Sequence, residues 1–189
     1  YSRVNKYTVQ LNKQELRKAD FPGDFISLSE KLSELPFFSD GKIFTVKQRR
    51  RMLDVEYIEE LLTILVRGIQ DKKEYLDTVC ETYMHLDNKQ EIEEEFIGVI
   101  TDISKIFDVT AFPIRKTRFK QKSDFYSLFA GILQLRKKGS IIEDTVIMDQ
   151  VRDLLVEMDE EIGPQSENRD YLEYATRCLS DANSAANRG

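Results

Sequence analysis

The residues whose type and spacing could do chemistry are mainly basic. Arg115, Lys116, Arg118, Lys120 and Lys122 fall in one short stretch, interleaved with Phe112 and Phe119. Lysine and arginine neutralise phosphates, and aromatic rings stack on exposed bases, so the stretch has the make-up of a nucleic-acid edge. The same letters also describe a solvated connector whose phenylalanines plug the core. A second basic cluster, Lys47, Arg49, Arg50 and Arg51, opens a helical pattern. Cations in the first turn oppose the helix dipole, and three consecutive arginines cannot share one face. They therefore imply a partner, either an acidic surface, a phosphate, or nearby Asp54 and Glu56. An intrahelical pair of Arg51 with Asp54 at i+3 is the simplest of these.

Other chemistries are poorly supplied. His85 is the single histidine, with Glu81 four residues before it, and a lone His–Glu pair falls short of a metal site. Cys80 and Cys178 stand far apart and read as small residues on buried helix faces. No Ser/His/Asp or Cys/His set can be assembled, and no phosphate-cradling glycine loop is present. Carboxylates are plentiful and are expected mostly on solvated helix faces. No catalytic residue, metal ligand or cofactor is expected in this chain.

Composition agrees with a folded, charged helical domain. The chain has 189 residues, 41% of them apolar and 33% charged, which excludes disorder. The net charge of −6 means that any nucleic-acid contact must be a local patch. The longest apolar run, Leu61 to Val66, is interrupted by Thr63, far short of the ~20 residues that cross a bilayer. No basic-then-apolar leader opens the chain, and a cytoplasmic location is expected. Both ends, Tyr1 and the Ala185 to Gly189 run, look cut from something longer.

The elements that must position these residues are helices. Tyr7 and Val9 give a weak alternating signal, and Asn12 can cap a helix over Lys13 to Ala19. Asp24 to Leu35 follows, stopped by Pro36, with a turn at Ser39 to Gly41. Thr45 and Gln48 form a capping box for a long helix from Val46 to Val66, with Gly68 as its C-cap. Further helices are expected over Lys72 to Leu86 and then to Phe107, with Asn88 as a cap. Others run from Ser123 to Lys137, from a Ser140/Glu143 capping box toward Gly163, and from near Glu167. Asp108 to Lys122 reads as a loop or short strand. The sum is an all-α, irregular bundle of about eight helices in one domain, with room for a short strand near 112–119.

Arg3-Val4-Asn5, then Leu11-Asn12, Gln14-Glu15-Leu16-Arg17, and Phe21, Gly23 and Phe25 form an ordered set. It resembles the F-x-R-[IV]-N … L-[NS]-x-Q-E-L-R-x-A … G-x-F segment of ParB-like proteins that carry a D-G-Q-Q-R motif. These proteins are typified by the GmrSD-type modification-dependent restriction enzymes. Tyr1 stands where the family has phenylalanine, and D-G-Q-Q-R itself is missing. Arg50-Arg51-Met52, Asp54 and Glu56 resemble the family's R-M-x-D-x-E helix.

The resemblance implies a prokaryotic defence protein whose ParB-like NTPase/nuclease core lies outside this chain. Residues 1–45 would abut that core and 46–189 would form the helical bundle. Arg3, Asn5, Gln14, Glu15, Arg17, Arg51, Asp54 and Glu56 would be the family-motif residues, with Arg3, Asn5, Gln14, Glu15 and Arg17 at the seam. There Glu15 would hold an arginine and Asn5 would tie down backbone. The expected partners are the ParB-like domain of the same protein and DNA, the latter through Arg115, Lys116, Arg118 and Lys120. No membrane is expected, and the oligomeric state is left open. The rival expectation is a non-catalytic protein-interaction module unrelated to DNA. An enzyme independent of any parent core is the least supported, for want of a tuned acid/base pair.

Overall fold

A computed structural model describes residues 10–70, 75–107, 110–139 and 145–181, with side chains through 176. The expectations on Arg3, Asn5, Tyr7 and Val9, the Ser140/Glu143 box and the Cys178 side chain fall outside the described residues. Among the described residues the fold is all-α, with ten α-helices and no strand.

The N-terminal half is built from short helices leaning on one central helix. Asn12 caps α1 (Lys13–Asp20) through a reciprocal box with Glu15. α2 (Asp24–Ser33) lays Phe25, Leu28 and Leu32 into the core. Pro36 stops α2 and also starts α3 (Pro36–Asp40) at its first position, where the missing N–H costs nothing. The Thr45/Gln48 box opens α4 (Val46–Arg50).

The long helix expected from Val46 to Val66 is broken. Met52 takes the left-handed conformation at φ 54°, and α5 (Leu53–Arg67) restarts on a new axis, ending at Gly68 with φ 82°. α5 is buried on nearly every face: Tyr57, Ile58, Leu61 and Leu62 all have at most 2% exposure.

The remaining helices close around it. The fourth expected helix, Lys72 to Leu86, is realised as α6 (Leu76–Thr82) and stops short of its expected end, because residues 83–85 are turn and bend. α7 (Lys89–Ile106) buries Phe96, Val99 and Ile103; Asn88 precedes it without a side-chain cap bond, contrary to expectation. The stretch given room for a strand instead makes two 3-10 turns, Ile114–Lys116 and Arg118–Lys120. Pro113 withholds an N–H from any ladder, while Thr117 closes the first turn by donating its hydroxyl to the Ile114 carbonyl at 3.0 Å. α8 (Lys122–Lys137) brings Phe125 and Phe129 against α3 and α7. α9 (Thr145–Glu161) and α10 (Arg169–Asp181) lie outermost, and Leu155 is the one fully buried residue of α9. No described helix is long and apolar enough to cross a membrane.

Candidate functional site

Among the resemblance residues that are described, Asn12, Gln14, Glu15, Arg17, Arg51 and Glu56 gather at the joint between α1 and the α4–α5 bend. On the outer side, Asn12 donates its backbone N–H to Glu15 Oε2 at 2.7 Å and its side-chain amide to the Arg51 carbonyl at 2.7 Å. Arg51 replies by donating Nη2 to the Gln10 carbonyl at 2.8 Å and lies 3.2 Å from Glu15 Oε2. The left-handed turn at Met52 sets this geometry, because it ends α4 with the Arg51 carbonyl free to accept. Arg51 therefore pairs across the chain with Glu15. The intrahelical Arg51–Asp54 pair is not formed, since the two residues no longer share one helix.

On the inner side of α1, Gln14 and Arg17 are buried. The Arg17 guanidinium donates to Gln14 Oε1, to Glu59 Oε2 at 3.3 Å and, through Nε, to Asp77 Oδ1 at 2.8 Å. Glu56 Oε2 is 3.8 Å from Arg17 Nη1. Gln14 donates to Glu59 Oε1. One guanidinium thus ties α1 to α5 and α6.

Burial pushes the Glu59 carboxyl up to about 7, against the opposing pull of Arg17 and the Gln14 bond. Burial alone would lower Arg17, but the hydrogen bond to Asp77 and the charges of Glu59 and Asp77 hold it above its ordinary value. The Cys80 thiol, next in this network, is raised by burial and then by Glu59, so it is an inert thiol.

Glu59 and Asp77 had no place among the expected site residues. The composition predicts carboxylates mostly on solvated faces, and the exceptions Asp54, Glu59, Glu60, Asp102 and Asp124 are buried. The signal available was the acidic pair Glu59-Glu60 set inside the apolar run Tyr57 to Leu62. Asp54 lies apart from the network, with Oδ1 buried and lacking a hydrogen-bond partner among the described residues.

The basic stretch divides. Arg115, Lys116 and Lys120 are exposed. Arg118 turns inward: Nε donates to Asp124 Oδ2 at 3.2 Å, Nη1 donates to the Ile162 carbonyl at 2.8 Å, and its Cζ sits 5.4 Å from the Tyr174 ring centroid. Phe119 is buried, and Phe112 stacks on Phe107 with centroids 5.1 Å apart. Both rings pack inside. Lys122 donates to the Leu53 carbonyl at 3.0 Å and covers the Tyr57 ring.

In the other basic cluster, Arg49 covers Phe44 at 5.9 Å, while Lys47 and Arg50 face solvent. His85 is exposed, and among the described residues no group of histidine, cysteine or carboxylate side chains could hold a metal. What the joint can do chemically is fix the angle between α1 and α5 and present the outer face of α1. No family model, no curated protein and no solved structure matches the chain.

Proposed function

We propose that this chain is the helical scaffold of a ParB-like, D-G-Q-Q-R-motif protein of the GmrSD type. It would hold the NTPase/nuclease core against the outer face of α1 and offer a DNA-contacting edge at Arg115, Lys116 and Lys120. One observation carries the reading: Asn12, Gln14, Glu15, Arg17, Arg51 and Glu56 converge on one joint from segments about 40 positions apart. A set of letters that resembles a family motif gains weight when those letters bond to one another. Leu11 and Leu16 remain exposed beside the joint, which suits a surface that another domain covers.

The same exposed leucines also suit the second reading, a protein-interaction module that never meets DNA. The test is binding of duplex DNA by the 189-residue chain across a salt series, alongside a variant with Arg115, Lys116 and Lys120 all changed to alanine. Arg118 is left intact because its bonds are internal. The scaffold-with-DNA reading expects affinity that falls with salt and a slope reduced by roughly 2–3 in the variant. Salt-independent or absent binding would remove the DNA role and leave the interaction module.

A further inference from the structure

The sequence sets two basic segments far apart, and the fold lays them side by side. Residues 41–53 and 110–123 each contain no carboxylate, in a chain whose net charge is −6. At one end of the pair, Gly41 lies so close to Ile114 that a Cβ on it would meet Ile114 Cγ2 at 3.1 Å. At the other end, Lys122 donates Nζ to the Leu53 carbonyl at 3.0 Å and stands 5.4 Å from the Phe44 ring centroid. Arg49 covers the same ring at 5.9 Å. Tyr57 donates its hydroxyl to the Lys122 carbonyl at 2.7 Å. The Phe44 ring thus joins α4 to the start of α8.

Lys47 and Arg50 of α4 and Arg115, Lys116 and Lys120 of the 3-10 turns are exposed, and none forms an ion pair among the described residues. Arg118, among them in sequence, is answered from within by Asp124. Asp40 shares a pocket with Arg115, and Glu34 and the buried Asp54 share a cleft with Arg49. These carboxylates border the outward cations and are outnumbered by them. The aromatic rings decide which nucleic acid such a face suits, because single strands are held largely by stacking bases on open rings. Phe44 and Phe119 are buried, and Phe112 is half-buried against Phe107. Cations without an open ring match the closely spaced phosphates of a duplex.

We propose that α4 and the 114–120 turns form one face that grips the phosphate backbone of duplex DNA, with Lys47 and Arg50 as contacts alongside Arg115, Lys116 and Lys120. This face rests on the DNA-contacting edge proposed above and adds two things to it, the α4 contacts and a preference for duplex over single strand. Lys47 and Arg50 stand three positions apart on one helix, so their side chains are neighbours. Neither is held by a side-chain bond within the fold among the described residues, which leaves both ammonium and guanidinium to meet phosphate.

The test is fluorescence anisotropy of the chain with a labelled mixed-sequence duplex, and with one of its strands alone, over about 50–200 mM salt. Lys47→Ala with Arg50→Ala should lower the salt slope for the duplex by roughly 1–2, and the Arg115, Lys116 and Lys120 alanine variant by roughly 2–3. Lys137→Ala with Lys138→Ala, an exposed pair at the far end of α8, should leave the slope unchanged. The duplex should bind at least about tenfold tighter than the single strand at equal salt. Every one of these variants changes exposed side chains, so each should melt with the parent chain, which separates a lost contact from a lost fold. If the α4 pair keeps the slope while the Arg115, Lys116 and Lys120 variant lowers it, the joint face is overturned and the edge proposed above survives. A fall as large in the Lys137 and Lys138 variant, or tighter binding of the single strand, also overturns the face. No binding of either form overturns both the face and the edge.

Discussion

Glu59 is the residue through which the α1 joint feels pH. Its carboxyl is fully buried and accepts from Gln14 and Arg17, yet burial outweighs them and raises it from 4.5 to about 7. A carboxyl raised on folding favours the protonated native state. Its stabilising contribution is therefore fully present below about 4.5 and is lost as pH rises through about 7. Across that window this one group should tilt stability downward with pH by at most about 1.4 kcal/mol per unit. Glu59→Gln keeps the shape and an acceptor for Arg17 but cannot ionise. Urea unfolding at a series of pH values should show the downward component vanish in the variant. An identical pH profile in both proteins would mean that Arg17 keeps Glu59 ionised throughout. In that case the pair is a plain buried ion pair, which fixes geometry more than it adds stability.

At the scale of elements, two glycines make opposite predictions. Gly23 precedes α2 with ordinary extended backbone, so conformational freedom is not its role. A Cβ there would meet the Met84 carbonyl oxygen at 2.5 Å and its Cα at 2.7 Å, and backbone cannot rotate aside. Gly23→Ala should separate α2 from the segment after α6, breaking the 2.7 Å bond from Asp24 N–H to Met84 O, and cost about 1–3 kcal/mol. Gly131, inside α8, has nothing within 4 Å of its would-be Cβ, so Gly131→Ala should stabilise by about 0.5–1 kcal/mol. Paired thermal melts check both signs.

These elements also show how far the sequence could be read. The Asn12 and Thr45 boxes, Gly68 as a cap and the apolar stripes of α2, α5 and α7 were legible because local periodicity and capping decide them. The break at Arg51-Met52 was not. No Gly or Pro marks it, and the Arg51 carbonyl that it frees is taken by Asn12, 39 positions away. For the same reason the joint was legible only as a list of letters. Its acceptors Glu59 and Asp77 belong to other helices, and no spacing rule points to them.

Across the whole molecule, stability should be uneven, and Arg118 marks the division. The helices around α5 share one aromatic-rich core, whereas α9 fully buries only Leu155, and Leu154 and Leu172 stay exposed. Met148, Val151 and Met158 of α9 rest partly buried on that core and Ala175 of α10 is buried, and polar hooks add to this thinner apolar contact. Arg152 donates to the Ile106 and Lys105 carbonyls at 2.8 and 2.9 Å, meeting the C-terminal end of α7. Arg118 does most of the rest. Its backbone N–H donates to Asp159 at 2.7 Å, its guanidinium reaches Ile162, and its plane packs on Tyr174, whose hydroxyl donates to Asp124 at 2.9 Å.

A residue whose sequence neighbours suggest phosphate contact is thus a clasp between the core and the last two helices. Arg118→Ala removes the side-chain bonds but keeps the backbone bond to Asp159, so it should loosen that region without dismantling the core. Native-state hydrogen exchange should show protection falling across 145–176 while amides of α5 and α7 keep theirs, as expected of separate cooperative units. The loss should also leave DNA affinity within error of the parent chain, since no exposed cation is removed. If protection instead falls evenly from α1 to α10, the chain unfolds as one unit, and the outer helices are bound to the core by more than these hooks.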